Sequence, residues 1–264
     1  MSNDLQIIKS NHLVEASYRL SVAEQRVVLA CIAQVRRDEP VTDEILYSVS
    51  AIEVAELAGT DVKTAYRDLA AAAERLFDRR VTILREPDGT DRPARKRLTR
   101  WVQTVDYVPG EGRIELRFSK DILPFLTELS ANFTRYALAD VAKMTSSHAI
   151  RLFELITQWG SVGQREISIE QLRAWFQLDS RYPLMADLRR WVIEPAVEQI
   201  NTHTPLKVKW EQRKTGRKIT HLVFTFKAKA PTKRVNTNKP KSNADIASLA
   251  RPGETWEQLR ARVG

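Results

Sequence analysis

The sequence is poor in the residues that metal and disulfide chemistry require. It has a single cysteine, Cys31, so no disulfide can form within the chain, and a reducing compartment suits it. The four histidines are scattered, without a His-x-His pair or a cysteine cluster beside them. No G-x-x-x-x-G-K phosphate loop occurs either. We therefore expect no metal site, no cofactor and no ATPase activity.

Long hydrophobic runs are absent as well. The longest, Val27 to Ala33, is far shorter than the roughly 20 residues that a membrane-spanning helix needs. The first residues, MSNDLQIIKSN, lack the apolar segment of a signal peptide. With 264 residues, 43% of them hydrophobic, the chain is long enough for one large domain or two small ones. We expect a soluble, cytoplasmic protein without a membrane partner.

Acidic residues are too few to balance the basic ones. There are 33 Asp and Glu against 42 Lys and Arg, which gives a formal charge of +9 and a pI near 9.7. The excess of surface cations favours a polyanionic partner. Nucleic acid is the first candidate, and an anionic membrane surface is the second.

Helix starts are the clearest local signals in the first half. Ser21 with Glu24 and Ser50 with Glu53 have the spacing of a capping box, in which each residue satisfies a free amide of the other. After Gly59 ends the second helix, Asp61 can cap a third, DVKTAYRDLAAAAERLF. A hairpin is predicted next, from strand RVTIL, a turn at 87–89 and an alternating stretch over 97–108, with a final strand over 113–118.

The second half repeats this order of elements. A helix begins near Ser146, the short strand REISI follows, and Ser168 with Gln171 forms another capping box. The segment DSRYPLMADLRRWVIEPAVEQIN then predicts a third helix, and a hairpin over 207–226 closes the unit. The fold class predicted is α+β, with two tandem winged helix-turn-helix domains packed together. We place them at 1–129 and 130–227, followed by a basic, largely disordered tail at 228–264.

Two stretches resemble a known family. NHLVEASYRLSVAEQRVVLACIAQV and DLRRWVIEPAVEQINTHTPLKVKWEQRKTGRKITHLVFTFK are similar to the initiator (Rep) proteins of iteron-containing, theta-replicating plasmids. The resemblance covers roughly Leu5 to Lys227. It implies tandem winged-helix domains that bind directly repeated origin sites as monomers, and dimers, formed through the first domain, that repress their own gene at an inverted repeat. It further implies recruitment of the host initiator and the replicative helicase.

The second unit carries the stronger set of candidate DNA contacts. If Leu184, Leu188, Val192 and Pro195 face inward, Arg190 points outward and can donate two hydrogen bonds to guanine. The other candidates are Ser180 and Arg181 at the predicted helix start and Tyr182 and Arg189 on its flanks. The hairpin tip beside Gly216 supplies four cations for phosphate, Arg213, Lys214, Arg217 and Lys218. Protection of an edge strand by charge would explain the same cations.

The first unit offers fewer signals. Lys63, Thr64 and Arg67 form an outward strip on its third helix, and Arg95, Lys96 and Arg97 make a basic segment beside its wing. The Ala-rich sequence LAAAAERL suits close helix packing. We therefore expect this unit to divide its surface between DNA contact and self-association.

Other functions fit parts of the sequence. A winged-helix transcriptional regulator is the nearest alternative, since the fold would be the same. A remote alternative is a tyrosine-recombinase-like enzyme, because His148 and Arg151 have H-x-x-R spacing and Tyr182 follows. A rolling-circle nickase would require the His-x-His pair that the sequence lacks. We expect a protein without catalytic residues.

Overall fold

The computed structural model describes residues 5–36, 38, 40–85, 95–127, 132–229 and 258. The turn predicted at 87–89 and nearly all of the predicted basic tail lie outside the described residues. Within them, no helix combines the length and the apolar character needed to cross a bilayer.

The described helices and strands form two series. The first consists of β1 (Gln6–Ser10), α1 (Asn11–Val14), β2 (Ser17–Tyr18), α2 (Val22–Ala33), β3 (Tyr47–Ser50), α3 (Ala51–Ala58), α4 (Val62–Leu76), β4 (Arg80–Arg85), β5 (Arg95–Arg100), β6 (Val102–Val108), β7 (Arg113–Phe118) and α5 (Pro124–Thr127). The second consists of β8 (Phe133–Ala137), α6 (Leu138–Ala142), α7 (Ser147–Thr157), β9 (Gln164–Ser168), α8 (Ile169–Trp175), α9 (Met185–Leu188), α10 (Glu194–His203), β10 (Leu206–Thr215) and β11 (Lys218–Ala228).

The predicted helix starts are confirmed. Ser21, Ser50 and Ser168 each cap a helix and form reciprocal bonds with the residue three positions later. Gly59 ends α3 in the left-handed region at φ 67°, where a residue with a Cβ would be strained. The side chain of Asp61 accepts from the Thr64 amide and starts α4. Local side-chain chemistry therefore fixes where both helix-turn-helix segments begin.

Two three-stranded sheets have the same order and reveal the repeat. In one, β7 lies between β3 and β6, and in the other β11 lies between β9 and β10, all antiparallel. In each case the first strand precedes the second helix of a three-helix unit, and the last two strands form a hairpin after the third helix. This is the winged-helix arrangement, present twice, so the predicted fold class is confirmed.

The hairpin predicted after α4 is wrong in its pairing. The alternating stretch over 97–108 is interrupted at Trp101, and β4 and β5 join β2 in a separate sheet. The wing position of the first unit is occupied by β6 and β7 instead. Trp101 is fully buried at the bend, with its ring 4.9 Å from that of Tyr18 in an edge-to-face contact. Burial of this indole bends the chain, whereas period-two alternation indicates only an extended segment.

The third helix of the second unit begins later than predicted. Residues 179–184 form a loop, because Asp179 and Tyr182 have positive φ and the Arg173 side chain donates to the carbonyls of Arg181 and Tyr182. Leu184 was predicted to face inward, but it precedes the helix and is 65% exposed.

A π turn at Arg189–Ile193 joins α9 to α10. Proline has no amide hydrogen, so Pro195 cannot make the usual helical bond to the residue four positions earlier. The chain adopts the wider turn just before it, where the amide of Glu194 donates to the carbonyl of Arg189. The residues of this element that become buried are Leu188, Val192, Ile193, Ala196, Val197 and Ile200.

A buried ionic cluster joins the two series of elements. Lys9 of β1 and Arg151 of α7 both pair with Glu154 of α7, and all three side chains are at most 3% exposed. The Glu154 carboxylate also accepts from the Tyr136 hydroxyl at 2.5 Å and the Tyr18 hydroxyl at 3.3 Å. Burial acts to raise the pKa of Glu154, but the charges of Lys9 and Arg151 outweigh it and hold that pKa below its usual value. This charged contact fixes the first strands against the helix that opens the second unit.

Candidate nucleic-acid interface

Arg190 lies on the outward side of the π turn. It is exposed, and its guanidinium carbon lies 4.9 Å above the ring centroid of Trp191. Within the described part of the chain it makes no ion pair, so its donors stay free for a ligand. Trp191 is itself 55% exposed, a feature that the sequence analysis missed. An indole beside arginines on a helix that could enter a groove was the available signal.

The neighbouring candidates are less free than Arg190. The guanidinium of Arg189 lies 3.4 Å from the carboxylate of Glu194, and both side chains are about half exposed. Arg181 donates to the carbonyl of Gln177 at 2.8 Å, which ties it to the loop before the helix. Ser180 in the same loop is exposed, whereas Tyr182 is half-buried against the core. Neither Ser180 nor Arg181 therefore lies at a helix start, as the sequence analysis had placed them.

The second wing ends in a tight turn at Gly216 and Arg217. Gly216 has φ 61°, and Thr215 pairs with Lys218 across the turn. Arg213 forms an ion pair with Glu166 of β9, with an N to O distance of 2.6 Å. Lys214, Arg217 and Lys218 are exposed and make no ion pair with any residue that the structure describes. The tip thus presents three free cations in a fixed hairpin, an arrangement suited to phosphate.

The first unit presents a smaller exposed strip. Lys63 and Arg67 are exposed on α4, and Arg67 lies 3.9 Å from Asp68, at the limit of an ion pair. Thr64 is half-buried, with its amide bonded to Asp61 in the helix cap. The exposed apolar residues Val62 and Tyr66 accompany them. Lys63 and Arg67 remain the candidates on this helix.

The basic segment of the first unit lies on the separate β4–β5 hairpin. Arg95 and Lys96 are exposed, and Arg97 pairs with Asp121 at 3.2 Å. The hairpin at the wing position, β6–β7, has the tip Pro109-Gly110-Glu111-Gly112, where Glu111 pairs with Arg113. The two wings therefore differ in charge, and only the second has cations at its tip.

The Ala-rich part of α4 is used within its own unit. Ala72 and Ala73 are buried where α4 packs on α2 and α3, and Ala70 and Ala71 are half-buried. Small side chains here allow the three helices to pack closely. Self-association through the first unit remains a prediction, but these buried alanines cannot form its surface.

The residues of the recombinase alternative are committed to other contacts. Arg151 is 3% exposed, and its guanidinium binds Glu154, the Tyr18 hydroxyl and the Ala16 carbonyl, so it cannot reach a phosphoryl oxygen. His148 stacks on Phe176 with ring centroids 5.5 Å apart. Desolvation, followed by the charges of Arg181 and Arg19, lowers the pKa of His148 to about 4. These contacts are structural.

Two winged-helix units in one chain, with an exposed arginine on one third helix and a cationic wing beside it, define a tandem winged-helix DNA-binding protein. The family models described as "Initiator Replication protein, WH1" and "Initiator Rep protein, WH2" match residues 6–157 and 168–226. The chain therefore belongs to the family of initiator replication proteins. The first match includes β8, α6 and α7, which the sequence analysis placed in the second domain, and the division at residue 130 stays a prediction.

Individual relatives agree with this assignment. The chain is 26% identical to a replication initiation protein of Escherichia coli over 84% of its own length and 69% of that protein. It is 22% identical to the PI protein of Escherichia coli, over 82% of this chain and 80% of the relative. A crystal structure of the Pi initiator protein in complex with iteron DNA shares the fold, with a TM-score of 0.71, 21% identity, and coverage of 87% of this chain and 99% of that one.

Proposed function

We propose that the protein initiates plasmid replication by binding directly repeated sites, the iterons, in double-stranded origin DNA. The observation that carries the proposal is the free guanidinium of Arg190 on the outward side of the π turn, with the three free cations of the second wing in the same unit. An arginine free of ion pairs can read guanine in a major groove, and the wing cations can bind the adjacent phosphates. The solved Pi initiator complex with iteron DNA supports extending this mode to the present chain.

The mechanism we infer is cooperative positioning without a catalytic step. The third helix of each unit enters one of two major-groove faces about one turn, ~10 bp, apart, while phosphate contacts hold the register. Filling a row of such sites bends and strains the DNA, and A·T-rich neighbours melt most easily. Lys63 and Arg67 on α4 are the proposed contacts of the first unit, with Arg95, Lys96 and Arg97 on the separate hairpin as phosphate contacts.

The remaining partners are proposed from the family. A second copy of the chain would associate through the first unit and repress the gene of the protein at an inverted repeat. The host initiator and the replicative helicase would be recruited to the opened origin. All of these steps would take place in the cytoplasm, where the origin DNA lies.

Replacing Arg190 with alanine tests the base contact. We expect Arg190→Ala to weaken binding to the preferred duplex by about 1–3 kcal/mol and to relax the preference at one base pair. Arg189→Ala is the matched control, because Arg189 is already paired with Glu194 and we expect a smaller loss. Dissociation constants for specific and random duplexes, measured at one salt concentration, give the comparison. Equal losses on both duplexes for Arg190→Ala would contradict the assignment.

A further inference from the structure

We propose that Trp191 is a positioning residue that holds the guanidinium of Arg190 in place for its base contact. This inference rests on the proposed function and adds a residue that touches DNA only through its neighbour. The observation is an indole left 55% exposed although nothing in its own unit covers it, with the Arg190 guanidinium lying 4.9 Å above its ring. Exposing so much apolar surface needs a reason, and the stacked arginine supplies one.

Stacking is suited to this task because of where the donors of arginine lie. The N–H groups of a guanidinium lie in its plane and point outward, whereas an aromatic ring contacts its face. A carboxylate partner would occupy the same donors that guanine needs, as Glu194 does for Arg189 and Glu166 does for Arg213. Trp191 can restrict the rotation of the Arg190 side chain and leave those donors available.

The backbone explains why two consecutive residues can make this contact. In an ordinary α-helix, neighbouring side chains point in clearly different directions around the axis. Arg190 and Trp191 lie in the π turn that precedes Pro195, and a wider turn has more residues per turn, which reduces the angle between consecutive side chains. The proline therefore shapes the turn, the turn brings the indole beside the guanidinium, and the indole orients it.

A double-mutant cycle on the full chain tests the inference. The probe is a duplex selected from a random pool by the wild-type protein, together with a random duplex and a version in which 7-deazaguanine replaces each guanine in turn. The variants are Trp191→Ala, Trp191→Phe, Arg190→Ala and the Trp191→Ala/Arg190→Ala pair. Leu184→Ala is the control, because Leu184 is an equally exposed apolar residue seven positions earlier without a ring contact to Arg190.

We expect Trp191→Ala to weaken binding to the selected duplex about two- to fivefold, the range that corresponds to an exposed cation–π contact. Binding to the random duplex should stay unchanged, and Trp191→Phe should retain most of the affinity. In the Arg190→Ala background, and on the duplex whose critical guanine lacks N7, Trp191→Ala should have no further effect. Leu184→Ala should behave like the wild type.

Additive losses in the cycle, or an equal loss on the random duplex, would overturn the inference, because Trp191 would then contact DNA itself or support the fold. In that case the proposed function would stand if the wild-type protein still prefers the selected duplex. If the wild-type protein shows no preference for any duplex, the proposed function fails and this inference fails with it.

Discussion

Replacing Glu154 with alanine should lower the free energy of unfolding by about 3–5 kcal/mol, the usual cost of breaking a buried ion pair from one side. The carboxylate compensates the charges of both Lys9 and Arg151, which are at most 3% exposed. Removing it leaves two buried cations without an anion and takes the acceptor from the hydroxyls of Tyr18 and Tyr136. Urea unfolding followed by circular dichroism measures the effect.

Glu194→Ala is the control for this substitution. Its partner Arg189 is about half exposed, so water replaces the lost contact and we expect a change below ~1 kcal/mol. Glu154→Gln adds a second comparison, because it keeps the volume and removes only the charge. A loss for Glu154→Ala no larger than that for Glu194→Ala would show that the cluster does not hold the two series of elements together.

Neutralising the tip of the second wing should have the largest effect on DNA affinity. We expect the triple substitution Lys214→Ala, Arg217→Ala and Lys218→Ala to weaken binding to all duplexes by on the order of 3 kcal/mol near physiological salt. These side chains are exposed and free of ion pairs, so each can replace a condensed counterion on a phosphate. The slope of log affinity against log salt should fall in magnitude by about 2.7, or about 0.9 for each contact.

A charge-matched variant separates the wing from the net charge. Lys120→Ala, Arg135→Ala and Lys143→Ala remove three exposed cations from other elements, and we expect the salt slope to change little. If the two triple variants reduce affinity and slope equally, the effect comes from overall charge, and the wing does not act as a phosphate clamp. Specificity, measured as the ratio of selected to random duplex, should be nearly unchanged in both.

Local signals in the sequence were sufficient to predict the repeated plan. The three serine capping boxes place helices correctly because their bonds span only three residues. The Gly216 turn and the alternation on either side of it likewise predict the second wing. Each of these features depends on neighbours along the chain, which one sequence shows directly.

Other features depend on contacts that sequence spacing does not show. Lys9 and Glu154 are 145 positions apart, and no periodicity indicates that they meet. The bend at Trp101 follows from its burial beside Tyr18, although the alternation continues on both sides. The π turn could have been suspected from Pro195, but its effect on which side chains face inward required the fold. The exposed position of Trp191 was missed for the same reason.

Hydroxyl-radical footprinting of the wild-type protein on a single selected site tests the central claim most directly, namely that third helices of both units enter the grooves of one duplex. We predict two protected segments on the same face of the DNA, about one turn or ~10 bp apart. The Arg190→Ala variant should lose definition in the segment assigned to the second unit. A single protected segment, or two segments on opposite faces, would contradict the account.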